Sequence, residues 1–409
     1  MSHNYEKLSE FCKTPRQLEV LESLINTNSQ AKTSKAIGIH VNKVQELVRR
    51  VRQQAIDRGY DPQFHMVHPV SPGMGVARIS TNYDGEGNVK QQWVIGKPDK
   101  EQQEEALRAF VEGLCDEIKP VKPSKYKAPK KASTELVSAV VIGDAHIGMI
   151  AHAVETMGED VTLESSTADL RAAIDYLVEC AVPSTDGWLI NLGDWLHVAS
   201  SHNTTHGGTA QDVSATFSQI FRAGSATLRY CIDKMLTKFE TVTVVSALGN
   251  HDNDAAFAMG MVMEALYEKE PRVIIKQPEQ KFHFLEWGKC LIGVHHGDKI
   301  NANRLCGTMT RLASEAWGRT TFRRFYVGHI HHKTATEHDS GITLESFHTL
   351  AIQDKWHAQS GYGAEQRITM ITLHKEFGEV SRMSPSLNLV RSCADTPPLA
   401  APRQLHRTK

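Results

Sequence analysis

No stretch of this chain approaches the roughly 18 consecutive apolar residues that can span a bilayer, so no membrane partner is expected. The opening segment MSHNYEKLSEF lacks the apolar core of a secretory signal, and a cytosolic location is expected from it. Disulfide frameworks and zinc ribbons are excluded too. The seven cysteines are odd in number, scattered, and nowhere spaced C-x-x-C, which reads as free thiols in a reducing compartment. Net charge is almost absent: 46 Lys and Arg offset 47 Asp and Glu to a formal -1. Any attraction to nucleic acid must therefore come from local patches. There is no Gly-rich phosphate loop ending in Lys, so an ATP motor would have to be a separate chain. Internal repeats are lacking as well.

What remains is a chain of 409 residues with 40% hydrophobic and 23% charged content, enough for two or three globular units. Thr14-Pro15-Arg16-Gln17 is a helix start, with Thr14 as N-cap, Pro15 in the first helical position and Gln17 closing a capping box. Leu18, Val20, Leu21, Leu24 and Ile25 continue at helical period. After a break at Asn26-Thr27-Asn28, a short helix leads to Gly38, and a longer one runs from about Val41 to Arg58 with Val44, Leu47, Val48 and Val51 inward. Helix, short helix, Gly turn and longer helix make the helix-turn-helix pattern, here assigned to 1–60. Residues 61–118 read as a connector, with a hairpin about Asp84-Gly85-Glu86-Gly87-Asn88 and then a charged helical stretch. KPVKPSKYKAPKK follows, rich in Lys and Pro without an acid, and 119–134 is read as a linker. Strands and helices alternate over 135–384, predicting an α/β sandwich of sheets flanked by helices. The segment 385–409 is polar and Pro-bearing and is expected to be disordered.

Many of the 21 histidines fall in short clusters after position 144, and five segments there each follow a strand-like run. They are Gly143-Asp144-Ala145-His146, Gly193-Asp194-Trp195-Leu196-His197, Gly249-Asn250-His251-Asp252, His295-His296-Gly297-Asp298 and Gly328-His329-Ile330-His331. Loops at strand C-termini converge on one edge in α/β architectures. Oxygen and imidazole donors without thiolate suit manganese, iron or zinc. A single Asp-x-His is more often an ordinary surface turn; five such segments in series are not explained that way.

Taken in order, these segments resemble the calcineurin-like metallophosphoesterase superfamily: D-x-H, GD, GNH-D/E, a His before Gly, then GH-x-H. The resemblance covers about 135–380 and implies a β-sandwich holding two divalent ions, manganese first and iron, zinc or magnesium next. It implies that Asp144, His146 and His331 bind one ion, that Asn250, His296 and His329 bind the other, and that Asp194 bridges them. His296 is preferred to His295 because the family's ligand directly precedes Gly. Two ions about 3.5–4 Å apart would share a hydroxide and clamp a phosphoryl group. His251 is then placed to protonate the leaving oxygen, with Asp252 expected to orient its ring. His202, His206, His332 and His348 fit no motif position and read as loop or rim residues, although His332 lies beside the site.

GDWLH lacks the arginine of the phosphoprotein phosphatases. The His three after Asp194, His197, resembles the DNA-repair nuclease branch, where it helps orient the scissile phosphate. The polar run SSHNTTHGGTAQD beside it is either a polymer contact or a solvated loop. Through residue 60 there are ten Lys/Arg against six Asp/Glu. Lys32, Lys35, Lys43, Arg49, Arg50 and Arg52 are the candidate DNA contacts, the alternative being a charged bundle face or a dimerisation element. The arrangement also resembles phage-encoded metallophosphoesterases with an N-terminal DNA-binding segment, which would place it in the bacterial cytoplasm of an infected cell. The expectation is a DNA phosphodiesterase, exo- or endonuclease, with a homodimer and a separate ATPase or repair partner left open. Its rivals are a phosphodiesterase or phosphatase acting on nucleotides, and a DNA-binding scaffold with a vestigial site.

Overall fold

In the computed structural model the residues described are 5–62, 65–67, 69–70, 74–98, 132–276, 279–353, 355–361 and 363–394. The chain divides into two compact units, Met1–Leu107 and Arg108–Lys409. The charged stretch 100–118 and most of the expected linker lie outside the described residues, as does 395–409.

The first unit opens with a helical turn and then three helices, α1 (Pro15–Thr27), α2 (Gln30–Ile37) and α3 (Val41–Asp57). Thr14 caps α1 through the expected capping box, in which its side chain accepts the Gln17 amide and Gln17 reaches back. Asn28 and Gly38 end α1 and α2 in the left-handed region, at φ 47° and 71°. Gly is the residue that adopts this conformation without a Cβ penalty. Val20, Leu21, Leu24, Val44, Leu47, Val48, Val51 and Ala55 form one buried cluster with Leu8, Phe11 and Tyr60. The hairpin follows as β1 (Met74–Tyr83) and β2 (Val89–Pro98), antiparallel.

The second unit is a four-layer sandwich. Its first sheet has six strands in the order β13-β12-β3-β4-β5-β6. They are β3 (Ser133–Ile142), β4 (Ser184–Asn191), β5 (Thr241–Ser246), β6 (Val273–Ile275), β12 (Thr369–His374) and β13 (Gly378–Met383). Its second sheet has the order β10-β11-β9-β8-β7, built from β7 (His283–Trp287), β8 (Cys290–His295), β9 (Phe322–Val327), β10 (Thr334–Glu337) and β11 (Ile342–Ser346). β3 to β6 run parallel, as do β8, β9 and β11.

Period-two alternation decides which residues fill the space between the sheets. Val137, Ala139, Val141, Trp188, Ile190 and Leu192 from one sheet meet Cys290, Ile292, Val294 and Tyr326 from the other. The outer face of the first sheet is covered by α4 (Leu163–Cys180) and α5 (Phe217–Leu236). The second sheet's outer face packs on α7 (Ala302–Leu312) through Leu305, Cys306 and Met309. Between these two helical layers in chain order comes α6 (Asn253–Tyr267), which the sequence reading had not marked.

Two expectations fail here. Ser133 and Thr134 are not linker but the first residues of β3. Residues 387–394 are not disordered but form α8 (Leu387–Ala394), which buries Leu387 and Val390. Its Arg391 also pairs with Asp169 of α4 at 2.6 Å. The polar composition of that segment hid two apolar residues at helical spacing, which are enough to dock one turn.

Candidate metal centre

The C-termini of β3, β4 and β5 in one sheet and of β8 and β9 in the other carry the five motifs to a common edge. Asp144, His146 and His331 form one group whose ligand atoms lie within 4.8 Å of one another, and Asp194, His296 and His329 form a second. A third group, His146, His197 and His251, adjoins the first. Asn250 belongs with the second group, its Oδ1 lying 2.9 Å from His296 Nε2.

The backbone bends sharply to do this. Asp144, His146, Asp194, His329 and His331 all have left-handed φ, at 35°, 43°, 49°, 69° and 57°. Non-glycine residues adopt that region rarely and at a cost, Asp and His more readily than most. The loops are also packed tightly. A Cβ on Gly249 would lie 2.0 Å from Asp194 Oδ1, and one on Gly328 would lie 2.8 Å from Asp144 Oδ2. That close approach is the reason for glycine before the ligand residues. Backbone amides then fix the carboxylates: His251 N–H donates to Asp194 Oδ1 at 2.8 Å, and His329 N–H to Asp144 at 2.9 Å.

Electrostatics argue that these groups hold cations. The Nδ1 of His296 donates to the carbonyl oxygen of Leu192 at 2.9 Å, so its Nε2 is a lone pair in the neutral ring. That lone pair faces Asn250 Oδ1 at 2.9 Å and Asp194 Oδ2 at 3.2 Å. Three acceptor atoms do not converge in a buried place without a cation or a proton among them. In the bare protein a proton takes that place. Burial would lower the His296 imidazole, but Asp194 and then Asp144 carry it up to about 10. Asp144 is pushed up to about 7 by burial, against the pull of His296. The first group has the same character. His146 and His331 face each other Nε2 to Nε2 at 3.1 Å, with Asp144 Oδ1 3.9 Å from His331. Burial, followed by His251 and His331, holds His146 well below the usual imidazole range. Oxygen and imidazole donors with no thiolate fit divalent ions of the manganese, iron or zinc kind.

Of the two neighbouring histidines, His296 turns its ring into the second group. The His295 ring turns away, stacks on Phe282 at 4.6 Å and accepts the Gly297 amide. The role expected for Asp252 differs from what is found. Its Oδ2 accepts the Leu196 N–H at 2.8 Å, while the His251 ring is held by the carbonyl oxygen of His197, 3.0 Å from Nδ1. Adjacency in sequence misled: Asp252 begins the turn into α6 and points back under the Asp194 loop. His197 is buried, stacks on His251 with ring centres 5.3 Å apart, and brings its Nδ1 within 3.3 Å of His146 Nδ1.

Two clefts meet over the centre. A cavity of about 210 Å³ runs toward Met149, Ala351, Ile352 and Gln366, and a cleft of about 1120 Å³ runs toward Gln211, Asp212 and Lys355. His197, His251, His331 and His332 line both, so His332 is a wall residue of the site. Sequence reading missed the 349–366 side. Thr349 Oγ1 donates to the Asp144 carbonyl at 2.6 Å, from just past the C-terminus of β11. Position after a parallel strand was the available signal, but no His or Asp motif marked it. The polar insertion is anchored to the site: the His206 N–H donates to the Asn250 carbonyl, and its ring lies 3.4 Å from Asp254. His202, by contrast, bonds only locally to Ser200, and His348 is no part of the ligand groups.

In the first unit, Lys32 and Lys35 lie on α2 and Lys43, Arg49, Arg50 and Arg52 on α3, all exposed. Lys43 and Arg50 both pair with Glu46.

No family model matches this chain, and no curated protein does. Among solved structures it is similar to a predicted phosphoesterase from Streptococcus pneumoniae, at 11% identity and TM-score 0.25, covering 62% of this chain and 99% of that one. A dimetal phosphatase from Danio rerio gives 8% identity and TM-score 0.32, covering 61% and 99%. Vps29 from Entamoeba histolytica gives 10% and 0.25, covering 61% and 98%. Among the described residues, no helix is long and apolar enough to cross a membrane.

Proposed function

We propose that this chain is a binuclear metal-dependent phosphodiesterase that hydrolyses phosphodiester bonds in DNA. The observation that carries this reading is the pair of adjoining ligand groups, with His296 Nε2 turned onto two oxygens, at the floor where two clefts meet. Asp144, His146 and His331 would hold one ion, Asn250, His296 and His329 the other, with Asp194 reaching both. Ions held there would supply Lewis acidity toward a phosphoryl oxygen and make a water molecule acidic. His251 is the proton-handling residue in this reading. A carbonyl oxygen can only accept, so Nδ1 keeps its hydrogen and Nε2 is the nitrogen left to pass a proton to the leaving oxygen. His197 holds that ring through its carbonyl and stacks beneath it, and its own imidazole is a candidate for orienting the phosphate.

A diester has a substituent on each side of its phosphorus, and a site open along two clefts accommodates both. The exposed cations of α2 and α3 favour a polymer over a free nucleotide. The test is incubation with manganese and end-labelled single- and double-stranded DNA, beside bis-p-nitrophenyl phosphate, with Asn250→Ala and His251→Ala as controls. DNA cleavage lost in both controls is the expected result. Hydrolysis of the small diester with DNA left intact would replace the nuclease reading with a nucleotide phosphodiesterase.

A further inference from the structure

The N-terminal unit carries a polar helix face that phosphate hydrolysis does not use. α3 buries Val44, Leu47, Val48, Val51 and Ala55 on one side. At i, i+3, i+7 and i+11 on the opposite side stand Asn42, Gln45, Arg49 and Gln53, all exposed. Among the described residues, the side chains of Asn42 and Gln45 make no hydrogen bond and Arg49 no ion pair, whereas Gln53 is tied to Asp57 at 2.9 Å. Of the two acids near this face, Glu46 is neutralised by Lys43 at 2.9 Å and by Arg50, and Asp57 holds Gln53 at the C-terminal end.

We propose that α3 is a base-reading helix, and that Asn42, Gln45 and Arg49 select a sequence in the major groove of duplex DNA. This rests on the nucleic-acid reading above and deepens it. Three observations converge. The helix follows a short helix across a left-handed glycine turn, the geometry that sets a second helix into a major groove. The side chains on its open face are amides and a guanidinium, the groups that pair bidentately with adenine and guanine edges. Around them the segment 29–58 holds seven Lys/Arg against two acids, with Lys32 and Lys35 exposed on the preceding helix to meet phosphates. A dimer interface would need an apolar centre, and the middle of this face is amide and guanidinium, with the exposed Ile56 only at its C-terminal end. A surface that only gripped phosphate would need cations and no amides at its middle.

The experiment uses the full chain in EDTA, where no cleavage occurs, with a random-sequence duplex library enriched over several rounds. A short motif should emerge. Asn42→Ala and Gln45→Ala should each weaken binding to the enriched duplex by about 5- to 150-fold while leaving a scrambled duplex unaffected. Lys32→Ala should weaken both duplexes alike and flatten the salt dependence. Because all three positions are exposed, unchanged thermal melting is expected and verifies that each variant folds. No enrichment, or an enriched motif indifferent to Asn42 and Gln45, overturns the proposal. Either failure is distinct from failure of the nuclease reading, since manganese-dependent cleavage of bulk DNA is measured separately.

Discussion

The Nδ1 of His251 lies 3.0 Å from the carbonyl oxygen of His197, and the carboxylate of Asp252 takes no part in holding that ring. The His251 tautomer is thus set by the main chain of the preceding motif. Replacing His251 by Ala should lower kcat on bis-p-nitrophenyl phosphate by about 10²- to 10⁴-fold while bound metal stays constant. Metal analysis alongside the kinetics checks this; a parallel fall in metal would make His251 a ligand instead.

Asp252→Asn retains an acceptor for the Leu196 amide, so its activity should stay within about tenfold of the parent. A carboxylate gripping a catalytic imidazole would cost nearer 10⁴-fold. Steady-state rates for this one variant decide between the two arrangements.

Gly249→Ala would put a methyl carbon 2.0 Å from Asp194 Oδ1 and 2.2 Å from its backbone nitrogen. The Asp194 loop must then move. Expected are loss of metal from the second group and a fall in activity of about 100-fold or more, on the scale of a misplaced catalytic group. Circular dichroism should be unchanged. Full metal occupancy in the variant would refute the tight-packing account.

That these side chains gather at one edge was legible because they are marked twice, by residue type and by position after a strand. Asp144, Asp194, Asn250, His296 and His329 each follow an apolar run that becomes a strand. The N-terminal helices were equally open, since Thr14, Gly38 and the Val44–Val51 spacing are local signals. What escaped depends on contacts remote in sequence. Thr349 meets Asp144 across 205 residues, and the Leu196 amide takes Asp252 across 56. The left-handed ligand residues were also invisible, because nothing in Asp-x-His declares its backbone angle. α8 was lost to composition: two buried apolar residues in a polar tail left little periodicity to read.

His283 lies buried in β7, and burial lowers its imidazole to about 4. The unfolded chain binds a proton near pH 6.5 and the folded one does not. This contribution to stability is therefore complete above pH 6.5 and shrinks as pH falls toward 4. Between pH 7 and pH 5 it should amount to about 2 kcal/mol. Urea titrations of the parent and of His283→Gln at both pH values should differ in pH slope by about that amount.

Glu345 is 1% exposed and receives Arg382, Arg324 at 3.5 Å and Lys333 at 3.0 Å. Arg382 belongs to β13 of one sheet and Glu345 to β11 of the other, so the cluster pins the sandwich. Glu345→Ala should cost about 3 kcal/mol by stranding partly buried cations. A melting temperature lower by about 5–10 °C would show it; an unchanged one would make the cluster a surface ornament.

The side chains of the candidate centre are dealt out along nearly half of the chain, from Asp144 to His331, and each sheet supplies only some of them. On the ribosome, Asp144, His146, Asp194 and Asn250 emerge well before His296, His329 and His331. A growing chain that has folded its first parallel strands holds Asp144, Asp194 and the His146, His197 and His251 group, and still lacks the imidazoles of His296, His329 and His331. The two adjoining groups are complete only when the second sheet closes over the first, since each draws side chains from both.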